Sequence, residues 1–443
     1  MGTVEDRFAA EATPLLQALI RNACVNDGTP DSGHEARNVD TLVAALEGPG
    51  IDIERYEAAP GRDNLVARIE GTDPDAPTLL LHAHTDVVPA HAERWAHDPF
   101  GGELVDGQVW GRGAIDMLNH AATIAVALRH LADQGWTPKG TLVFAATADK
   151  EHRGALGARW LVEHHPDQVR AEWVITETGG VLSPSPVGMR LPVVVGEKGS
   201  VRLRVHVSGA PCRPATPSAS TALVHAAEAV TRLARFDAPY RDGFPAFVER
   251  SGWGAVLGDL LDPDTLTGVL ASLPSFAADG LRALTHTTLC PVRLDAGGPS
   301  LEPRDRVSVA VDVRTFEGQG PDEGEALVRQ ALGDLAEMVT IEHDWATPAS
   351  SSPFDTPLWA TLDRLSQRWL PGIGLVPLIA PGRTDAPAFR ELGAIAYGFG
   401  RFSERVTPEA LAGMIHGDDE RVDIESLGLM AGLWVELARE ALA

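Results

Sequence analysis

Short apolar runs alternate with helical patterns through the first 195 residues. Asn64–Ile69, Thr78–His82, Thr141–Thr147 and Trp173–Thr176 read as strands, the later ones almost continuously apolar. Between them, Leu118–Gln134 carries Ala121, Ile124, Ala125, Leu128 and Leu131 at the spacing of one helical face, and Ala155–His164 reads the same way. Strand–helix–strand alternation with strands apolar on both faces predicts an α/β domain around a mostly parallel sheet. In open sheets of that kind, ligands gather at the carboxyl ends of the strands. The pattern changes near Gly199. Ser200–Ser208 (SVRLRVHVS) alternates strictly, as a half-exposed strand does. A helix over Ala222–Arg235 follows, then a Gly/Pro-punctuated stretch to about Ser300. Next come a second alternating strand (Arg306–Arg314), a helix (Asp322–Met338) and a third strand (Val339–Asp344). This predicts a small α+β unit, residues 198–348, inserted into a larger domain made of residues 1–197 and 349–443. The chain returns through Pro353–Leu370, a loop at Pro381–Phe389 and a last helix at Ile424–Leu442.

Charge and composition narrow the function. The 443 residues include 37 Lys+Arg against 62 Asp+Glu, a formal net charge of −25, and no basic run. A surface of that sign repels phosphate backbones and anionic bilayers, so neither nucleic acid nor a membrane is expected as partner. Cys24, Cys212 and Cys290 are widely spaced and form no CxxC, which excludes a disulfide framework and fits a reducing compartment. The N-terminus has acids where a leader needs positive charge and reads as an amphipathic helix, and no apolar run reaches spanning length. A cytoplasmic, soluble protein is expected.

Four polar clusters follow strands. In His82-Ala83-His84-Thr85-Asp86, a histidine two residues before an aspartate at a strand end can reach a metal while the carboxylate orients its other ring nitrogen. In Gly111-Arg112-Gly113-Ala114-Ile115-Asp116, glycines permit a sharp turn that presents Asp116 where it could bridge two cations; the plainer alternative is a helix cap. Asp149-Lys150-Glu151 and Thr176-Glu177-Thr178-Gly179-Gly180 are the other two, and Ile415-His416-Gly417-Asp418 supplies a histidine far downstream.

Together these residues resemble the zinc-dependent family of aminoacylases, carboxypeptidase G, acetylornithine deacetylase and succinyl-diaminopimelate desuccinylase. The resemblance extends over WAHDPFGGELVDGQVWGRGAIDM, GEKGSVRLRVHVSGAP, Asp312–Arg314 (DVR), Thr384–Ala386 (TDA) and IHGDDERVDIESL, in the family's order. It implies a zinc-peptidase-like catalytic domain with an inserted lid or dimerisation domain. It further implies that His84 and Glu177 bind one zinc, Glu151 and His416 the other, that Asp116 bridges them and that Asp86 stands behind His84. Carboxylate and imidazole ligands without thiolates suit zinc, two ions per chain or one. The implied partners are a small amino-acid-derived substrate and a second copy of the chain bound through the lid.

Two departures from the family pattern bear on the chemistry. Its Asp-Glu-Glu reads Asp149-Lys150-Glu151 here, so Lys150 stands where the general base glutamate is expected. Its lid histidine, in Gly-x-Pro-Gly-His, is replaced by Arg213 beside Cys212. Smaller ones are Leu118-Asn119 for Lys-Gly, Ser300-Leu301-Glu302-Pro303 where a lid asparagine is expected, and Arg383 beside Thr384, placed to anchor a substrate carboxylate. An arginine holds an oxyanion or carboxylate but does not shuttle protons. Lys150 has two sensible states: a neutral amine serving as base or nucleophile, or an ammonium that partly replaces one metal. The expected function is metal-dependent hydrolysis of an amide or related C–N bond. The alternatives are a lyase, cyclase or acyl-transfer enzyme on the same cage, or a catalytically silent binding protein.

Overall fold

The apolar strands assemble where the pattern puts them. A computed structural model describes residues 2–211, 215, 218–240, 245–253, 262–273, 275–297 and 305–443. Arg213 and Cys212, and the segment Ser300–Pro303, lie outside the described residues. A ten-stranded sheet runs in the order Asp52–Ala59, Arg62–Ile69, Leu142–Thr147, Leu79–His84, Trp173–Thr176, Ile395–Gly398, Gly188–Glu197, Ser350–Ser351, with Gly374–Ala380 and Ser183–Ser185 also on Gly188–Glu197. Its centre is parallel, with His84 opposite Thr147 and Leu81 opposite Ile175, so three strands end at one level. Antiparallel pairs close the margins.

Alternation within each central strand feeds two cores. Leu79, Leu81 and Ala83 pack with Leu142, Phe144 and Ala146 and with apolar residues of the helices Val4–Arg21, Leu118–Asp133 and Ile424–Ala441. Leu80, Val143 and Val174 face the other way, onto Ala158, Leu161 and Phe389. Burial on both faces is what a parallel sheet requires, and each fully buried Leu or Phe contributes about 1.5–3 kcal/mol. The first and last helices approach closely at Gly428, where a Cβ would come within 2.3 Å of the Glu5 carbonyl oxygen. Trp434 Nε1 ties the last helix to Thr123 Oγ1 at 3.0 Å.

The chain leaves the large sheet at Glu197 and rejoins it at Ser350. Between these points lies a four-stranded antiparallel sheet, ordered Thr288–Asp295, Arg306–Thr315, Gly199–Ser208, Val339–Thr347. One face, with Val201, Leu203, Val205, Val309 and Val311, is covered by the helices Ala222–Arg235 and Pro321–Leu332. The opposite face is polar, with Arg202 and Asp312 facing each other in register and paired at 2.8 Å.

Two expectations need correction, and one stretch gains elements that the pattern did not assign. The Gly/Pro-punctuated stretch holds the helices Pro245–Ser251, Pro263–Ser272 and Ser275–Thr285 and the strand Thr288–Asp295. Two of those prolines open helices, where a missing N–H costs nothing, rather than marking loops. The helix read as Asp322–Met338 ends at Leu332, because Gly333 takes a positive φ, and a 3-10 segment Gly333–Met338 follows. The loop at Pro381–Phe389 contains the start of a helix, Ala386–Glu391.

Candidate metal centre

The strand ends deliver four of the expected groups to one place. His84 closes its strand and is fully buried. Its Nδ1 lies 3.0 Å from the Asp86 carbonyl oxygen and 3.4 Å from the Asp86 carboxylate. A carbonyl only accepts, so Nδ1 carries a hydrogen. Burial alone would lower the pKa of the ring, but the Asp116 and Asp86 carboxylates outweigh it and hold His84 well above the usual histidine range. Nε2 faces Asp116 Oδ1 at 2.9 Å and Glu177 Oε2 at 3.8 Å. Acceptors brought together in this way need a proton or a cation between them.

Asp116 does not cap the helix that follows; its carboxylate turns into the site. Oδ2 lies 3.1 Å from His416 Nε2, which is also 3.2 Å from Glu151 Oε1. Two ligand groups result, His84–Asp116–Glu177 and Asp116–Glu151–His416, which share Asp116. Their nitrogen and oxygen donors fit a divalent cation of zinc type. Glu177 Oε1 is buried without a hydrogen-bond partner, which fits the same conclusion. The Glu177 turn rests on Gly398, where a Cβ would lie 2.2 Å from the Glu177 carbonyl oxygen.

Lys150 lies inside this arrangement, not in solvent. Its Nζ is 2.9 Å from Glu177 Oε2, 3.3 Å from Asp116 Oδ1 and 3.7 Å from Glu151 Oε2. Burial alone would lower the pKa of the amine, but the three carboxylates outweigh it and hold Lys150 well above the usual lysine range. The contacts with carboxylate oxygens are those that the ammonium alternative requires.

Other groups position these side chains. Asp86 does more than stand behind His84. Its Oδ1 accepts the Lys150 N–H at 3.1 Å, and its Oδ2 accepts the Glu151 N–H at 3.0 Å and Asn26 Nδ2 at 2.8 Å. Asp149, just before them, adopts a left-handed conformation with φ 65°. Its Oδ1 accepts from Arg62 Nη2 and Asn26 Nδ2, both at 3.1 Å. Arg62 in turn forks onto the fully buried Glu35 at 2.6 and 2.8 Å. Glu420 accepts the N–H groups of Gly113, Ile115 and Asp116 and a bond from Arg112, which fixes the turn that carries Asp116. Sequence reasoning missed Asn26, Glu35, Arg62 and Glu420. The polar run Arg62-Asp63-Asn64 opening an otherwise apolar strand was a usable signal for Arg62, and Glu420 lies within the run IHGDDERVDIESL; Asn26 and Glu35 gave none.

The centre opens on a cleft of about 570 Å³. Arg314 and Arg383 line it, as do Ile115, Phe402, Leu411 and Ile415. Arg383 is half-buried, 5.2 Å from the ring centre of Trp345. His120, on the cleft wall, is pushed down to about 4 by burial and stays neutral.

A family model described as peptidase family M20/M25/M40 matches residues 80–440. The chain belongs to this family. The M20 chain is 28% identical over 402 residues to the N-fatty-acyl-amino acid synthase/hydrolase PM20D1 of Xenopus tropicalis, covering 87% of this chain and 77% of that protein. It is 39% identical to the succinyl-diaminopimelate desuccinylase of Maricaulis maris, but only over 160 residues, 36% of this chain and 38% of that protein. Among solved structures, the dipeptidase Dug1p from Saccharomyces cerevisiae superimposes with a TM-score of 0.73 at 15% identity, over 99% of this chain and 98% of that one. Human carnosine dipeptidase 1 gives 0.72 at 15% identity, over 98% and 97%. At such identities the likeness shows the fold, and the expected combination of a parallel-centred sheet with a separate antiparallel unit is borne out. The protein is thus an enzyme of a metal-dependent family that acts on amide bonds of amino acid derivatives. Among the described residues no helix is long and apolar enough to cross a membrane.

Proposed function

We propose that the protein hydrolyses the amide bond of an N-acylated amino acid or a comparably small amino-acid-derived molecule. His84, Asp116, Glu151, Glu177 and His416 are the metal ligands in this reading, and Lys150 is the proton donor. The observation that carries it is the Lys150 amine inside a cage of carboxylates and imidazoles, within 2.9 Å of Glu177 and beside a cleft. A zinc-type cation held by that cage supplies Lewis acidity toward the scissile carbonyl.

The chain's own side chains account for the protons. An ammonium accepts none, so the attacking water gives its proton to the Glu177 carboxylate at Oε2, the oxygen beside Lys150 Nζ. Lys150 donates from Nζ to the leaving nitrogen. Glu177 then returns its proton to Nζ, which its Oε2 contacts at 2.9 Å. One water is consumed, an acid and an amine are released, and both side chains regain their starting charge. The family's single glutamate is thereby replaced by a donor and an acceptor.

Cleft polarity supports the substrate class. Arg314 and Arg383 suit a substrate carboxylate, and the apolar lining residues suit an acyl chain or apolar side chain. The name of the Xenopus relative fits that division. Arg213 is assigned to the oxyanion or the same carboxylate. The inserted unit, residues 198–348, is assigned as a lid between catalytic segments 1–197 and 349–443. A homodimer is assigned through this unit, whose edge strand exposes Val292 and Leu294. Free Cys24 and Cys290 suit the reducing cytoplasm.

The test is amine release by zinc-loaded protein from a panel of N-acyl amino acids and dipeptides, before and after chelation. Chelator-sensitive release from at least one substrate is expected. No release from any, or release indifferent to a chelator, contradicts the proposal.

A further inference from the structure

The two ligand groups are not equivalent, and the difference lies in which oxygen atoms Lys150 touches. In the His84 group, the oxygens that face His84 Nε2 are Asp116 Oδ1 and Glu177 Oε2. Lys150 Nζ lies against these same two atoms, at 3.3 and 2.9 Å. In the His416 group, the oxygens that face His416 Nε2 are Asp116 Oδ2 and Glu151 Oε1. The Lys150 ion pairs run through other oxygens, Asp116 Oδ1 and, on Glu151, Oε2 at 3.7 Å. The lysine therefore pairs with the facing donors of the His84 group, and its shorter contacts, 2.9 and 3.3 Å, are both there.

We infer that this enzyme holds one divalent cation per chain, in the Asp116–Glu151–His416 group, and that the Lys150 ammonium takes the place of a second cation in the His84–Asp116–Glu177 group. The inference rests on the metal assignment above and divides it. Space agrees with these contacts: a cation bound to Asp116 Oδ1 and Glu177 Oε2 would need the volume that Lys150 Nζ fills, 3.3 and 2.9 Å from those oxygens. Ligand chemistry agrees as well, because an ammonium is a compact point charge with three donors and can bind several carboxylate oxygens at once.

The experiment is zinc stoichiometry. Full-length protein is stripped with a chelator, reloaded with excess zinc, desalted and measured by mass spectrometry of the metal against protein concentration. One zinc per chain is expected for the native sequence. Lys150→Glu and the milder Lys150→Gln are each expected to take up a second, with folding checked by circular dichroism. His416→Ala is expected to reduce zinc below 0.2 per chain, and His84→Ala to keep it near one. Two zincs in the native protein overturn the inference while leaving the metal-dependent reading intact. Zinc lost on His84→Ala but kept on His416→Ala overturns it too. No zinc at all overturns both.

Discussion

Replacing Lys150 with Met is expected to destabilise the metal-free protein by about 3 kcal/mol. The side chain stands within 3.7 Å of carboxylate oxygens from Asp116, Glu151 and Glu177, with less than a tenth of its surface exposed. Removing one partner of a buried charge pair costs about 3–5 kcal/mol, because the other charge is left without compensation. Here the lower end applies, since one of the crowded carboxylates can take up a proton and neutralise itself. Zinc should reverse most of the loss. A cation that binds only the folded state adds about 4.1 kcal/mol at a thousand times its dissociation constant, and the variant offers it an unobstructed pair of ligand groups. Urea titrations of native and Lys150→Met protein, in chelator and in excess zinc, measure both effects through the transition midpoint. The midpoint should fall sharply in chelator and recover in zinc. Equal midpoints in chelator would refute the placement of Lys150 among the carboxylates.

Other perturbations test the surrounding structure. Arg62→Met should cost about 3–5 kcal/mol by stranding Glu35, whereas Glu35→Gln/Arg62→Met should cost clearly less; a double-mutant cycle in urea reads the coupling, and additive losses would contradict the buried fork. Arg383→Ala should raise KM about tenfold for substrates that carry a carboxylate and leave their uncharged amides unaffected, since one charge-assisted contact is worth roughly 1.5 kcal/mol; steady-state kinetics on matched pairs decide it. Lys198 is buried at the start of the inserted unit, and burial pushes it down to about 7. Between pH 7 and the unfolded value near 10.4, the unfolded chain binds a proton there that the folded one does not, so this residue makes stability rise with pH across that window. Lys198→Met should flatten the rise, and an unchanged slope in pH-dependent denaturation would count against it.

Much of this architecture was legible in the order of apolar residues. Trp173–Thr176 and Ala222–Arg235 form with the bounds expected, because each is defined by its own local pattern. Four of the ligand candidates were recognisable as types after strands and His416 as a histidine far downstream, and the structure brings all five together. What could not be read were relations between distant segments. Nothing local in Asn26 or Glu35 says that they steady Asp86 and Arg62, and only the folded register brings Asp149 to both. Asp86 looked like a histidine's orienting partner, yet its carboxylate mainly holds the backbone of Lys150 and Glu151. The helices between Pro245 and Thr285 were hidden for another reason: prolines that begin a helix and prolines that interrupt one look alike until the helix is seen.

The central claim, that a cation and an ammonium share one carboxylate cage, is tested most directly by diffraction from zinc-loaded crystals on either side of the zinc absorption edge. The account predicts a single anomalous peak per chain, bounded by Asp116, Glu151 and His416, with Lys150 Nζ still against Glu177. A cage without anomalous signal in active protein, or a peak beside His84 with Lys150 displaced, would contradict it.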